Sequence, residues 1–183
     1  DYADKSGFYV GAWGSTIKWI KDAGASAGSV EVDLYGGYKG AVGDLAYDVG
    51  FLRYEYVGNK LAGVNGAVNA NTNEVYGAVT YGLFTAKYSH ALTDIFGTAN
   101  SKGAYYLDLS ANFDLGAGYT LTPHVGRQGN YSAAYNDYSL TLTKDLGNGL
   151  AGSIMLVDTN TTAISAGKDT AKSGVVVGLK YSF

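Results

Sequence analysis

Val175-Val176-Val177-Gly178-Leu179-Lys180-Tyr181-Ser182-Phe183 is the stretch whose reading decides the fold. Val175, Val177, Leu179, Tyr181 and Phe183 fall on one face of an extended chain, and Val176, Gly178, Lys180 and Ser182 on the other. A period of two is that of a strand. An apolar face closing on Tyr-x-Phe at the C-terminus is the way bacterial outer-membrane barrels finish, with the aromatic pair in the girdle at the periplasmic interface. A soluble sandwich also ends on amphipathic strands. The weight therefore falls on whether the pattern recurs along the chain.

It recurs in ten segments, spaced as all-β proteins space their strands. The first covers residues 7–19. In 29–38, Val30, Val32, Leu34 and Tyr38 share one face, and Glu31, Asp33 and Tyr35 the other. In 45–56, Leu45, Tyr47, Val49 and Phe51 oppose Asp48 and Gly50. Arg53 and Glu55 then fall on the apolar side, as in a strand that has left the hydrocarbon by that point. Segment 74–81 sets Val75, Val79 and Tyr81 against Glu74, Tyr76 and Thr80, and 84–89 sets Phe84, Ala86 and Tyr88 against Thr85, Lys87 and Ser89. Segment 104–115 is the most regular, with Tyr105, Leu107, Leu109, Ala111, Phe113 and Leu115 facing away from Tyr106, Asp108, Ser110, Asn112 and Asp114. Segment 119–128 carries the lone Pro123 on its apolar side. Segments 137–144, 150–158 and 172–183 complete the set.

Composition bounds the class. The 183 residues make a single domain, 1–183, with 27 Gly, 17 Tyr, one Pro and no Cys. Gly and Tyr in such numbers suit tight turns, strands and interfacial aromatic belts, and one Pro suits long unbroken ladders. No apolar run approaches the roughly 18 residues of a spanning helix. Without Cys there are no disulfides and no thiolate metal sites. A net charge of −3 with no basic stripe excludes nucleic acid as a partner class. The chain opens on Asp1-Tyr2-Ala3-Asp4 with no signal peptide, the expectation for a processed or N-terminally trimmed form.

The connections alternate in length. Residues 39–43, 81–83, 116–118 and 145–149 are short and contain Gly. Residues 21–28, 59–72, 93–102, 129–136 and 160–171 are longer and polar. Short turns at one end and long loops at the other is the outer-membrane arrangement. A soluble meander has no reason to obey it. The expectation is an all-β, antiparallel, up-and-down transmembrane β-barrel of about 10–12 strands.

Several stretches together carry a family resemblance: residues 6–15, Ser-Gly-Phe-Tyr-Val-Gly-Ala-Trp-Gly-Ser; 34–38, Leu-Tyr-Gly-Gly-Tyr; 45–50, Leu-Ala-Tyr-Asp-Val-Gly; 74–77, Glu-Val-Tyr-Gly; and 104–109, Ala-Tyr-Tyr-Leu-Asp-Leu. Over nearly its whole length the chain resembles the TorF family of porins, proteobacterial outer-membrane proteins also catalogued as a conserved domain of unknown function. The resemblance implies an outer-membrane barrel with a pore role and no particular substrate. Family members carry two further N-terminal strands before the region matching Ser6. Asp1-Tyr2 looks like the tail of the second, so the first hairpin is expected to be missing from a twelve-stranded barrel, or the barrel to close on ten.

The face opposite the apolar one carries the candidate pore lining: Glu31, Asp33, Asp48, Glu74, Lys87, Asp108, Asp114, His124 and Lys180, with Lys18 as a further base. Two readings stand side by side. Either the charges form a constriction that selects small polar solutes or cations, or salt bridges hold a narrow barrel's interior together. Trp13, Trp19, Tyr47, Tyr81, Tyr119, Tyr181 and Phe183 read as the membrane aromatic girdle. The loop 59–72, with Asn65, Asn69 and Asn71, either folds into the mouth or is solvated. His124 and His90 are too far apart in the pattern for a zinc site, and no Gly-x-Ser-x-Gly nucleophile motif is present.

The reading is a porin-like channel of the bacterial outer membrane, not an enzyme and without cofactor or metal, for passive diffusion of small hydrophilic solutes or ions. The alternatives are a closed structural or partner-binding barrel and a rim-located lipid-modifying enzyme built on His124. The expected partners are outer-membrane lipid and lipopolysaccharide, the barrel-assembly machinery through the C-terminal strand, and a second copy or another envelope protein. Lys87→Ala separates the two lumen readings. It lowers the thermal midpoint if Lys87 belongs to a structural pair, whose disruption costs roughly 3–5 kcal/mol, and changes conductance if Lys87 lines an open path. No change in either measurement removes both.

Overall fold

The computed structural model describes residues 1–131, 134–165 and 168–183. The chain folds as one antiparallel sheet of 12 strands with almost no helix. In chain order the strands are β1 (Tyr2–Ala3), β2 (Phe8–Thr16), β3 (Val30–Val42), β4 (Leu45–Tyr56), β5 (Thr72–Tyr81), β6 (Phe84–Ala91), β7 (Tyr105–Ala111), β8 (Phe113–Gly116), β9 (Tyr119–Gly129), β10 (Tyr135–Gly147) and β11 (Leu150–Thr159). A separate small hairpin, β12 (Ile164–Ser165) with β13 (Lys168–Asp169), interrupts the passage to β14 (Gly174–Tyr181), the last strand of the sheet. Apart from β8 and the β12–β13 hairpin, each strand pairs with the next along the chain. β7 and β8 are one line of chain broken at Asn112, and both pair with β9.

The strand pattern in the sequence matches this arrangement closely. β4 has the expected limits, and β3, β5, β6 and β10 run a few residues beyond theirs. β2 stops at Thr16 instead of continuing to residue 19, because Trp19–Asp22 turns into a short helix, α1. Lys18 is the residue before that helix and not an inward strand position. The described residues of the long connections (17–29, 57–71, 92–104, 130–131 with 134, and 160–165 with 168–173) lie at one end of the sheet, and the two-residue ones (43–44, 82–83, 117–118, 148–149) at the other. Closure into a barrel is not seen. β1 and β14 are the two edges, and they are unpaired with each other among the described residues. They stand first and eleventh along the antiparallel path and so run in the same direction, which antiparallel pairing cannot join.

Burial divides the two faces in an unusual way. The apolar face is the exposed one: Tyr81 is 64% exposed and Val177 77%, whereas Tyr9, on the polar face, is 9%. The Tyr9 hydroxyl on β2 also meets that of Tyr76 on β5, three strands away. With strands ~4.8 Å apart, that contact calls for a sheet curled around its polar face.

The packed apolar core lies in the long connections. Ile20 of α1 is fully buried with Ala25, Tyr56, Leu61 and Ala70, and Trp19 meets the Tyr56 ring edge-on at 5.2 Å. A second cluster, Ala91, Ile95 and Ala104, joins the first through Phe96, which meets Tyr54 edge-on at 5.2 Å. Hydrogen bonds tie the loops together and to the sheet: Val68 N–H donates to Gly97 O at 2.9 Å between two loops, and Phe96 N–H to the Thr72 side-chain Oγ1 at the start of β5 at 2.9 Å. Three connections thus form a folded cap over the long-loop end. Ile20→Ala and Ile95→Ala, each removing a buried side chain, should loosen the cap by roughly 2–5 kcal/mol. Amide exchange is expected to speed up at Val68 and Phe96 while β9 to β11 keep their protection; uniform acceleration throughout would show that cap and sheet unfold as one unit.

Candidate functional site

Register decides which side chains meet on the polar face. Row by row, Tyr9, Gly37, Gly50, Tyr76, Ser89, Tyr106, Gln128 and Tyr135 lie in line across the sheet. The next row towards the short turns is Lys39, Asp48, Ala78, Lys87, Asp108, Gly126 and Asp137. Glycine is what lets the tyrosines lie flat in the first row. A Cβ on Gly37 would stand 2.6 Å from the Tyr9 hydroxyl, and one on Gly50 2.5 Å from the Tyr76 ring. Both distances are too close for any side chain, so the rings occupy the space those residues leave open.

Two clusters result. In the first, the Tyr9 hydroxyl donates to Asp48 Oδ1 at 2.6 Å and also meets the Tyr76 hydroxyl. Lys39 Nζ is 3.7 Å from Asp48 Oδ2 and lies 4.3 Å over the Tyr9 ring. Lys87 Nζ lies 4.3 Å over the Tyr76 ring. In the second cluster, His124 Nε2 is 3.1 Å from Asp108 Oδ2 and Nδ1 is 3.7 Å from Asp137 Oδ1. The Tyr106 hydroxyl donates to Asp137 at 2.9 Å and approaches His124 Nε2 at 3.4 Å. Beside the first cluster is a cavity of about 480 Å³, lined on the polar face by Lys39, Asp48, Ala78, Thr80, Lys87 and Asp108.

The nine charged residues expected to line a lumen all share the polar face. Asp48, Lys87, Asp108 and His124 meet around these clusters at mid-height. Glu31, Asp33 and Glu74 lie nearer the cap, where Glu31 is in register with Tyr56, Asp33 with Tyr54 and Glu74 with Leu52. Asp114 and Lys180 lie near the short turns, apart from the rest. Of the expected girdle residues, Tyr47, Tyr81, Tyr119 and Tyr181 are on the apolar face towards the short turns. Phe183 follows β14, 6.1 Å from the Tyr181 ring. Two placements need correction. Trp13 is in register with Asp33 on the polar face, because Val10, Ala12 and Gly14 take the apolar side of β2. Trp19 is in α1, packed on Tyr56 as part of the cap. Arg53 and Glu55 do fall on the apolar side at the loop end, joined at 2.9 Å and bonded on to Asn73 and Asn71.

Tyr9, Lys39, Tyr76, Tyr106 and Asp137 belong to the clusters but were not singled out from the sequence. A signal for two of them was present. Continuing the alternation one residue past Tyr38 puts Lys39 inward, and Tyr138, Leu140 and Leu142 on one side put Asp137 on the other. The same alternation put Tyr76 and Tyr106 on the polar face, but a tyrosine there carries no charge to mark it as lining, and Tyr serves equally in an interfacial belt. For hydrolytic chemistry the second cluster is poorly set up. Ser110 and Ser139 flank His124 in register, yet both ring nitrogens face carboxylates. A nucleophile needs one of those nitrogens as its base. Among the described residues no group of three His, Asp or Glu side chains is arranged to hold a metal ion.

Tyr106→Phe should lower unfolding free energy by about 1.5–3 kcal/mol, since its hydroxyl bonds a carboxylate. Combined with Asp137→Asn in a double-mutant cycle read by urea unfolding, the two should couple by at least about 0.5 kcal/mol. Strict additivity would show that the contact contributes nothing.

A family model described as a bacterial protein of unknown function (Gcw_chp) matches residues 1–183, and the chain belongs to that family. No curated protein and no solved structure matches it.

Proposed function

We propose that this Gcw_chp-family chain is an outer-membrane β-barrel through which small hydrophilic solutes or ions diffuse passively. The observation that carries the reading is the inverted burial of the sheet, with large apolar side chains exposed and charged and hydroxylated ones sheltered. Phe8, Val49, Phe51, Val79, Leu109 and Val177 are all more than two-fifths exposed. In water a continuous surface of this kind is an aggregation site, whereas against hydrocarbon it is the lipid face. Strands of 9 to 13 residues, such as β2 and β3, suit the span of a tilted transmembrane strand. The resemblance to TorF-family porins points the same way. Hydrocarbon tolerates no open edge, so the reading requires β1 and β14 to be covered or joined in the membrane.

In this reading the mechanism is diffusion past Asp48, Glu74, Lys87, Asp108 and Lys180. Acids outnumber lysines on the polar face, which favours cations. Outer-membrane lipid and lipopolysaccharide meet the apolar face, and the barrel-assembly machinery reads β14. A second reading, a closed barrel working through its long loops, draws on two features: the Tyr9–Tyr76 contact at mid-height and the folded cap above it.

Single-channel recording in a planar bilayer decides between them. The purified protein should give discrete steps, with a reversal potential under a salt gradient that shows cation preference. Neutralising Glu31, Asp33 and Glu74 together should reduce that preference. A folded, heat-modifiable protein that stays silent overturns the pore and leaves the loop-binding barrel.

A further inference from the structure

The row Lys39, Asp48, Ala78, Lys87, Asp108 alternates in charge except at its centre, where Ala78 leaves a gap between an acid and a base. The gap opens on the cavity of about 480 Å³, within the range of small-molecule sites. The backbones of β4 and β6, which carry Asp48 and Lys87, flank β5 and so lie about 9–10 Å apart, at roughly 4.8 Å per strand. An α-amino acid carries an ammonium and a carboxylate on one carbon, so it can present one charge to each side of Ala78.

The two charges are not equally satisfied within the chain. Asp48 accepts from Tyr9 and has Lys39 nearby. Lys87 rests on the Tyr76 ring, and among the described residues no carboxylate oxygen lies within 4.0 Å of its Nζ. Its register partner Asp108 is turned to His124 at 3.1 Å. Below the gap the hydroxyls of Thr80 and Thr85 bond each other at 2.9 Å, adding neutral donors and acceptors to the cavity wall.

We propose that this gap is a binding site for a small zwitterion of the α-amino-acid class, its carboxylate on Lys87 and its ammonium on Asp48, with Ala78 as the floor. The site rests on the pore reading for its biological use but not for its existence. It gives the lumen a specificity that a net-acidic lining alone does not. At this row a simple anion is matched only by the lysines, a simple cation only by the acids, and a neutral polyol by neither charge; a zwitterion is matched at both ends.

Two measurements on the full chain test it, with L-serine as the zwitterion and glycerol as the neutral solute of similar size. In proteoliposome swelling, serine should enter several-fold faster than glycerol. The serine-to-glycerol ratio should fall towards one in Lys87→Met and in Ala78→Leu, which keeps every charge and fills the gap, while Lys102→Met in an exposed loop keeps the native ratio. In micelles, serine titration should shift the ¹³C-labelled Ala78 methyl resonance, and glycerol at equal concentration should not. A methyl shift without any swelling supports the site and overturns the pore. Equal entry of both solutes with no methyl shift overturns the site and leaves the pore standing. Absence of both swelling and shift overturns the two together.

Discussion

The structure depends on register. In an antiparallel sheet the side-chain period is two, so a slip of one residue turns every side chain to the opposite face. From β2 to β14 the ladder keeps its alignment, even across the break at Asn112, and slips only beside two short turns, at Asp114/Gly116 and Asp145/Gly147. Tyr9 on the second strand and Tyr135 on the tenth therefore belong to one row, and Lys39 and Asp137 to the next. A strand out of step would place lysine and aspartate among Val49, Val79 and Leu109. The two-residue turns hold the alignment, with positive backbone angles at Gly43 and Gly82.

With register set, the molecule has two environments and they stabilise it differently. The sheet carries few fully buried apolar side chains, and its wide apolar face buries little within the chain itself. The cap is the opposite. Ile20, Leu61, Ala70 and Ile95 are sheltered by loops of the chain itself. That arrangement explains why connections long enough to be solvated are ordered. They have a core of their own, seated on Tyr54 and Tyr56 at the ends of the strands.

The sequence made the sheet legible almost residue by residue, because alternation is a local signal. β4, β9 and β11 could be bounded to within a residue from their own sequence, and the inward acids other than Asp137 followed from the same count. Three things were hidden. Trp13 and Trp19 looked like belt residues because Trp is common there, and only the parity of β2 and the helical turn at α1 move them. The cap joins residues 20, 61 and 95, which no local pattern connects. The tyrosine row is a relation between Gly37 or Gly50 on one strand and Tyr9 or Tyr76 on another, so it exists only once the register is known.

The competition between an open lumen and a filled one turns on what the polar groups require. A dry interior would have to compensate each charge within the chain, since leaving one unpaired in low dielectric costs several kcal/mol. Asp48 and His124 meet that requirement through Tyr9, Asp108 and Asp137. Lys87 meets it only in part: it rests on the Tyr76 ring and attracts Glu74 beyond the tyrosine row, but among the described residues no carboxylate oxygen lies within 4.0 Å of its Nζ. Ala78 beside it leaves space that no neighbouring side chain fills. A cation paired only at a distance and next to a polar cavity is favoured by water or a polar solute there. The hydroxyl bridge between Tyr9 and Tyr76 is a contact of two rotatable side chains and not a close-packed apolar plug. A hydrated mid-height, narrowed by tyrosines and lined on either side by charge, is what the proposed passage requires.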